Sequence, residues 1–209
     1  NVKGFPRFFR RKKTSIIFII LALIISLYGC GAPSFIIKSL DDKFSDSNQP
    51  FGTIGQNNRL STKSSKGGTH IDNKGVYIDP FIFKDRLTNK IVSVGFYINH
   101  FNFELSDGFN PIEEIIFITD KNDRVSLEVK SRDFDYDIGS WNTITKTYNT
   151  TFSENGTATT TIEDFKKLIN ANWIEAKIIG RERTQTYDKD EVSNDFLINL
   201  KQFYNASTK

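Results

Sequence analysis

Asp133, Asp135 and Asp137 stand at alternate positions in the run Asp133-Phe134-Asp135-Tyr136-Asp137. In a strand, alternate side chains share a face, so three carboxylates would line one side. Such a row of hard oxygen donors could hold a cation of the Ca²⁺ type. It does not follow the EF-hand pattern: Ile138 stands where glycine is needed, and Ile144 where a bidentate glutamate is needed. The plainer expectation is a solvated strand face, with Phe134, Tyr136 and Ile138 turned to the core and no metal bound.

Two other groups could do chemistry. Arg181 and Arg183 flank Glu182, and on a strand they would share a face suited to a carboxylate or phosphate. Pairing with neighbouring carboxylates is the simpler use. His100 follows Asn99 where the hydrophobic phase slips, and β-bulges gather near active sites. The other histidine, His70, lies far off in a polar stretch. Serine and aspartate are plentiful, yet no Gly-x-Ser-x-Gly elbow occurs. No catalytic set is assigned, and the expectation leans towards a protein that is not an enzyme and carries no cofactor.

The elements that must position these residues begin at Gly75. Val76-Ile78 and Phe81-Phe83 alternate around Pro80, as in a strand near an edge. Val92, Val94, Phe96 and Ile98 share one parity, and Phe101 and Phe103 take the same odd–even slip to the other face, which predicts a bulge near Asn99–His100. Residues 112–130 read as a hairpin, with Ile115 to Ile118 on one arm, Asp120-Lys121-Asn122-Asp123 at the turn, and Val125, Leu127 and Val129 on the other. A strand from Trp141 to Phe152 follows, and Asn155-Gly156 has type I′ turn chemistry.

Thr161-Ile-Glu-Asp164 resembles a capping box before the stripe Ile162, Phe165, Leu168 and Ile169. A long strand is expected from Trp173 to Tyr187. A second helix is expected from about Asp190, with Val192, Phe196, Leu197, Leu200, Phe203 and Tyr204 on one side. The fold class is therefore α+β: an antiparallel, twisted sheet with two helices of the C-terminal half packed on one face.

The N-terminal third reads differently. Phe35, Ile36, Ile37, Leu40 and Phe44 make a short apolar stretch, and residues 46–74 are rich in Ser, Asn, Gly, Lys and Thr. Such composition predicts a flexible linker. Residues 1–29 hold six basic side chains and no acid; without them 22 bases face 25 acids, a net charge of −3. The basic pI belongs to this leader, and the rest gives no electrostatic reason to expect nucleic acid.

The leader runs from Arg10-Arg11-Lys12-Lys13 into the apolar stretch Ile16–Tyr28, then to Leu27-Tyr28-Gly29-Cys30. Thirteen residues are short for a membrane-spanning helix, which needs roughly 20, and suit a signal-peptide core. The ending resembles the lipobox of bacterial lipoproteins, with Leu three before the cysteine and Gly directly before it. Tyr28 is the departure, at a position that family fills with small residues. The resemblance implies a diacylglycerol on the Cys30 sulfur, cleavage after Gly29 and an N-acyl chain on the new terminus.

The organisation expected is a cleaved signal peptide over 1–29, a lipidated terminus and linker over 30–74, and one α+β domain over 75–209. The function expected is a membrane-anchored envelope lipoprotein acting as a binding or interaction module, its partner an envelope protein or small ligand. By the same resemblance, Gly31 fits outer-membrane sorting in a Gram-negative cell, facing the periplasm or the surface. Two alternatives stand beside it: an envelope hydrolase or metal-dependent enzyme using the aspartates or His100, and a signal-anchored assembly factor of a membrane complex.

Overall fold

Period-two runs of branched and aromatic residues become strands that pair antiparallel throughout. The computed structural model describes residues 33–40, 50–66, 74–104, 110–144 and 147–209. In chain order the strands are β1 (Ile36–Ser39), β2 (Phe51–Gln56), β3 (Gly75–Lys84), β4 (Ile91–Glu104), β5 (Ile112–Thr119), β6 (Arg124–Glu128), β7 (Lys130–Asn142) and β8 (Thr147–Thr160). Helix α1 (Ile162–Ile169), β9 (Ile174–Gly180), β10 (Thr184–Tyr187) and helix α2 (Asn194–Ser207) follow. The chain is α+β, mostly antiparallel sheet with two helices in its C-terminal half.

The strands form two sheets rather than the single sheet expected. One has the order β1-β2-β3-β4-β8-β7, the other β10-β9-β5-β6. The helices accordingly serve two sheets. Phe165 of α1 stacks on Phe96 of β4, with ring centroids 5.4 Å apart, and α1 also lies against β5 and β6. Phe196 of α2 meets Phe117 of β5 at 6.0 Å, while α2 also lies against β2 and β3. The rings of Phe165 and Phe203 join the helices to each other. The core is thus one cluster, from Ile78 and Ile98 through Phe165 and Phe203 to Ile115 and Leu127.

Local signals that depend on near neighbours are realised. The Asp164 N–H donates to the Thr161 Oγ1 at 3.0 Å, capping α1, and Phe165, Leu168 and Ile169 are its buried stripe. In the β5–β6 hairpin, Ile115 faces Leu127 and Phe117 faces Val125. The β4–β8 register shifts between His100 and Phe103, which is the expected bulge.

The expected linker is in part a structural element. Phe51–Gln56 pairs with β3, placing Ile54 opposite Phe81. Leu60 is wholly buried, and Asn58 and Arg59 are buried with it. The polar residues are held by hydrogen bonds rather than solvated. The Asn58 N–H donates to Asp79 at 2.7 Å, its Nδ2 to the Ile78 carbonyl, and its Oδ1 accepts from Asn199 of α2. Arg59 donates to the Tyr77 hydroxyl from Nε at 3.0 Å. Burial pushes the Asp79 carboxyl up to about 6, against the pull of the Asn58, Asn57 and Asn99 donors. Residues 41–49 and 67–73 lie outside the described residues.

Two further expectations are corrected. Asn155-Gly156 is no turn: both residues lie inside β8, paired with β4 at Asn99 and Ile98. Glycine is required there by close approach, because a Cβ on Gly156 would meet Val129 Cγ1 at 2.6 Å. The span Trp173–Tyr187 is not one strand but the β9–β10 hairpin, with Thr184 opposite Ile179. Its turn is gripped by Asn110, which accepts from the Glu182 and Arg183 N–H groups at 2.8 and 3.1 Å and donates to the Arg183 carbonyl.

Candidate functional site: an acidic and apolar strand edge

The chain leaves one sheet for the other at Val129, whose N–H still donates to Glu113 of β5. Beyond it, Ser131 takes φ 49°, a left-handed conformation uncommon outside glycine. There the β7–β8 register shifts between Lys130 and Asp133. After this bulge β7 runs as the edge strand of the six-stranded sheet among the described residues. It carries Asp133, Asp135 and Asp137 on one face, and Phe134, Tyr136 and Ile138 on the other.

The three aspartates are exposed. Their partners across the ladder are Asn155, Ser153 and Thr151, which carry no charge. Asp133 and Asp135 each accept from the N–H of the residue that follows, at 2.9 and 2.8 Å. Among the described residues no group of three carboxylate, histidine or cysteine side chains is placed to hold a metal ion.

The apolar face departs from expectation. Tyr136 is 63% exposed and Ile138 59%, although both stand on the side of the sheet that elsewhere faces the core. Register explains it. Phe134 pairs with Glu154, Glu154 with His100, and His100 with Val76, so these four side chains share the core-side face. Val76 and Glu154 are buried and Phe134 is exposed. Among the described residues burial on this face falls off past Glu154, from half-buried Phe152 to exposed Tyr136 and Ile138. Tyr136 rests on Phe152 across the ladder, with ring centroids 6.4 Å apart.

The other candidate residues fall elsewhere. His100 is half-buried on the face opposite the aspartates, so the sheet separates it from them. Arg181 and Arg183 sit in the β9–β10 turn, not on a strand face. The Arg181 Nε lies 3.6 Å from Glu113 Oε1, an exposed pair of small energetic weight. Cys30 and His70 lie outside the described residues.

Sequence reasoning missed Glu154. Its flanking Asn155-Gly156 suggests a turn, where a glutamate is unremarkable. In the fold it is 2% exposed, and both carboxylate oxygens accept from the Ile112 N–H, at 2.9 and 3.2 Å. Glu154 therefore ties β8 to the start of β5 and so one sheet to the other. Burial pushes its carboxyl up to about 7, against the pull of that N–H and of Arg132. Arg132 comes from the Ser131 bulge and donates from Nη2 to the Val129 carbonyl at 3.1 Å.

No family model, curated protein or solved structure matches this chain. Strand β7 is acidic on one exposed face and apolar on the other. Its carboxylates and His100 cannot act on one substrate from opposite faces of a sheet.

Proposed function

We propose that the chain is a bacterial envelope lipoprotein, anchored through Cys30, whose α+β body is a binding or interaction module. The observation that carries the anchor is Leu27-Tyr28-Gly29-Cys30, the only cysteine in 209 residues, placed after a basic and then apolar leader. Two or three acyl chains hold a protein to a bilayer where a 13-residue apolar stretch does not. The body's part in this reading is supported by the exposed side chains of β7, acidic on one face and apolar on the other. A hydrolase or metal-dependent role draws no support from residues that the sheet keeps apart.

Radiolabelled palmitate fed to cells making the full chain tests the anchor. The label is expected on the protein and is expected to vanish in Cys30→Ala. Label that survives Cys30→Ala overturns the reading. A membrane-extracted protein whose mass retains residues 1–29 overturns it in favour of the signal-anchored alternative.

A further inference from the structure

We infer that the far end of the β7–β8 ladder lies in the headgroup layer of the lipid bilayer to which the chain is anchored. The inference deepens the anchored-module reading and rests on it for the membrane. Its first support is where exposed apolar side chains gather. Tyr136 is 63% exposed, Ile138 59% and Trp141 48%, and Ile144, in the turn after β7, is 90% exposed. Residues 138–152 contain one charged side chain, Lys146. Apolar side chains exposed together, with so little charge among them, mark a contact surface. Tryptophan and tyrosine carry a polar N–H or O–H on an apolar ring, which suits them to the level where acyl chains meet headgroups. Asp137 bounds the stretch, because a carboxylate is costly to take out of water. The residues beyond it enter the headgroup layer, and the three aspartates stay in solvent.

The second support is the place of the anchor. Among the described residues the β4–β8 pairing reaches Thr151 opposite Glu104, and the β7–β8 pairing reaches Thr147 opposite Asn142. Followed across the sheet, the antiparallel registers bring the chain into β1 at Ile36 from this same end. Cys30 stands six residues before Ile36, and six extended residues span at most about 20 Å. Lipid on Cys30 therefore keeps this end of the sheet near the bilayer. The level of Ile36 and the end of the ladder are roughly 33 Å apart along the strands, more than the tether spans, so the strands lean with the β1 side tipped towards the membrane. Leu87 is exposed too, but it lies in the β3–β4 turn at the opposite end of the sheet, and the inference leaves it in water.

The test uses the full chain, extracted from membranes and reconstituted in vesicles of phosphatidylethanolamine and phosphatidylglycerol. The single variants Ile144→Cys, Ile138→Cys and Leu87→Cys are labelled with a nitrobenzoxadiazole fluorophore, and the parent chain, with Cys30 alone, gives the background. All three positions are exposed, so each variant is expected to melt as the parent does. Nitroxide carried on the lipid acyl chains is expected to quench the label at position 144 at least threefold more than at position 87, with position 138 between them. Equal quenching at 144 and 87 overturns the inference. A label at 144 that is blue-shifted but unquenched also overturns it, because a protein partner or a second copy then covers the turn instead of lipid. The readout does not depend on how the chain is held in the membrane. A chain that takes no palmitate but is quenched at 144 loses the Cys30 anchor and keeps the bilayer contact. One that takes palmitate and is not quenched there loses the contact alone.

Discussion

Glu154 shows how one buried side chain can set the pH response of a fold. Its carboxyl keeps a proton in the folded protein up to about pH 7, whereas its ordinary value is 4.5. Between those limits the folded state binds more protons than the unfolded chain. Stability therefore falls as pH rises from about 4.5 to 7 and levels off above that. Asp79 adds a similar fall at lower pH, from its ordinary 3.8 to about 6. In Glu154→Gln the amide oxygen still accepts from Ile112, but nothing titrates. Urea unfolding at pH 5 and pH 8 is expected to show a difference smaller than that of the parent protein by about 1–3 kcal/mol; an unchanged difference would show that Glu154 is not its source. Two residues on, Gly156 is a steric requirement. Gly156→Ala is expected to cost about 1–3 kcal/mol by overpacking against Val129. Adding Val129→Ala should recover part of that cost, giving a favourable coupling in a double-mutant cycle. Additive losses would show that contact with Val129 is not the source of the cost.

Among the elements, α1 joins more of the core than its eight residues suggest. Phe165 is fully buried and contacts Phe96 of β4 and Phe203 and Tyr204 of α2. Phe165→Ala is expected to lower stability by about 3–5 kcal/mol, and a loss below about 1 kcal/mol, measured by chemical denaturation, would show that the helix is not a keystone between the sheets. The cap and stripe of α1 were legible in the sequence because their partners lie three or four residues apart. The β5–β6 hairpin was legible for the same reason. The β2 segment was not. Asn58 finds Asp79 and Ile78 about twenty residues on and Asn199 at a separation of 141, so a polar composition that reads as solvated is in fact bonded. Asn155-Gly156 failed for a related cause. The dipeptide suits a turn, but β4 and β7 pair with β8 on both sides, and a central strand with Val129 over it overrides local preference. The alternation of Asp133 to Ile138 correctly gave a strand with two unlike faces. It could not show that Tyr136 and Ile138 stand more than half exposed, because that depends on which long-range neighbours pack beside them.

At the scale of the whole molecule, stability should decline along the β7–β8 arm. From Thr151 to Thr157, β8 is paired on both sides, with β4 and β7. Among the described residues its pairing with β4 reaches Thr151, opposite Glu104, and its pairing with β7 reaches Thr147, opposite Asn142. A two-stranded ribbon is marginal by itself, and strands paired on one side only open at lower free-energy cost than those in the middle of a sheet. Amide hydrogen exchange is therefore expected to be graded. Protection should approach that of global unfolding in β8 from Glu154 to Ala158 and in β4 from Val94 to Ile98. It should fall by orders of magnitude over residues 138–142 and 147–150. Uniform protection across the arm would show that another part of the chain covers it and closes the β7 edge.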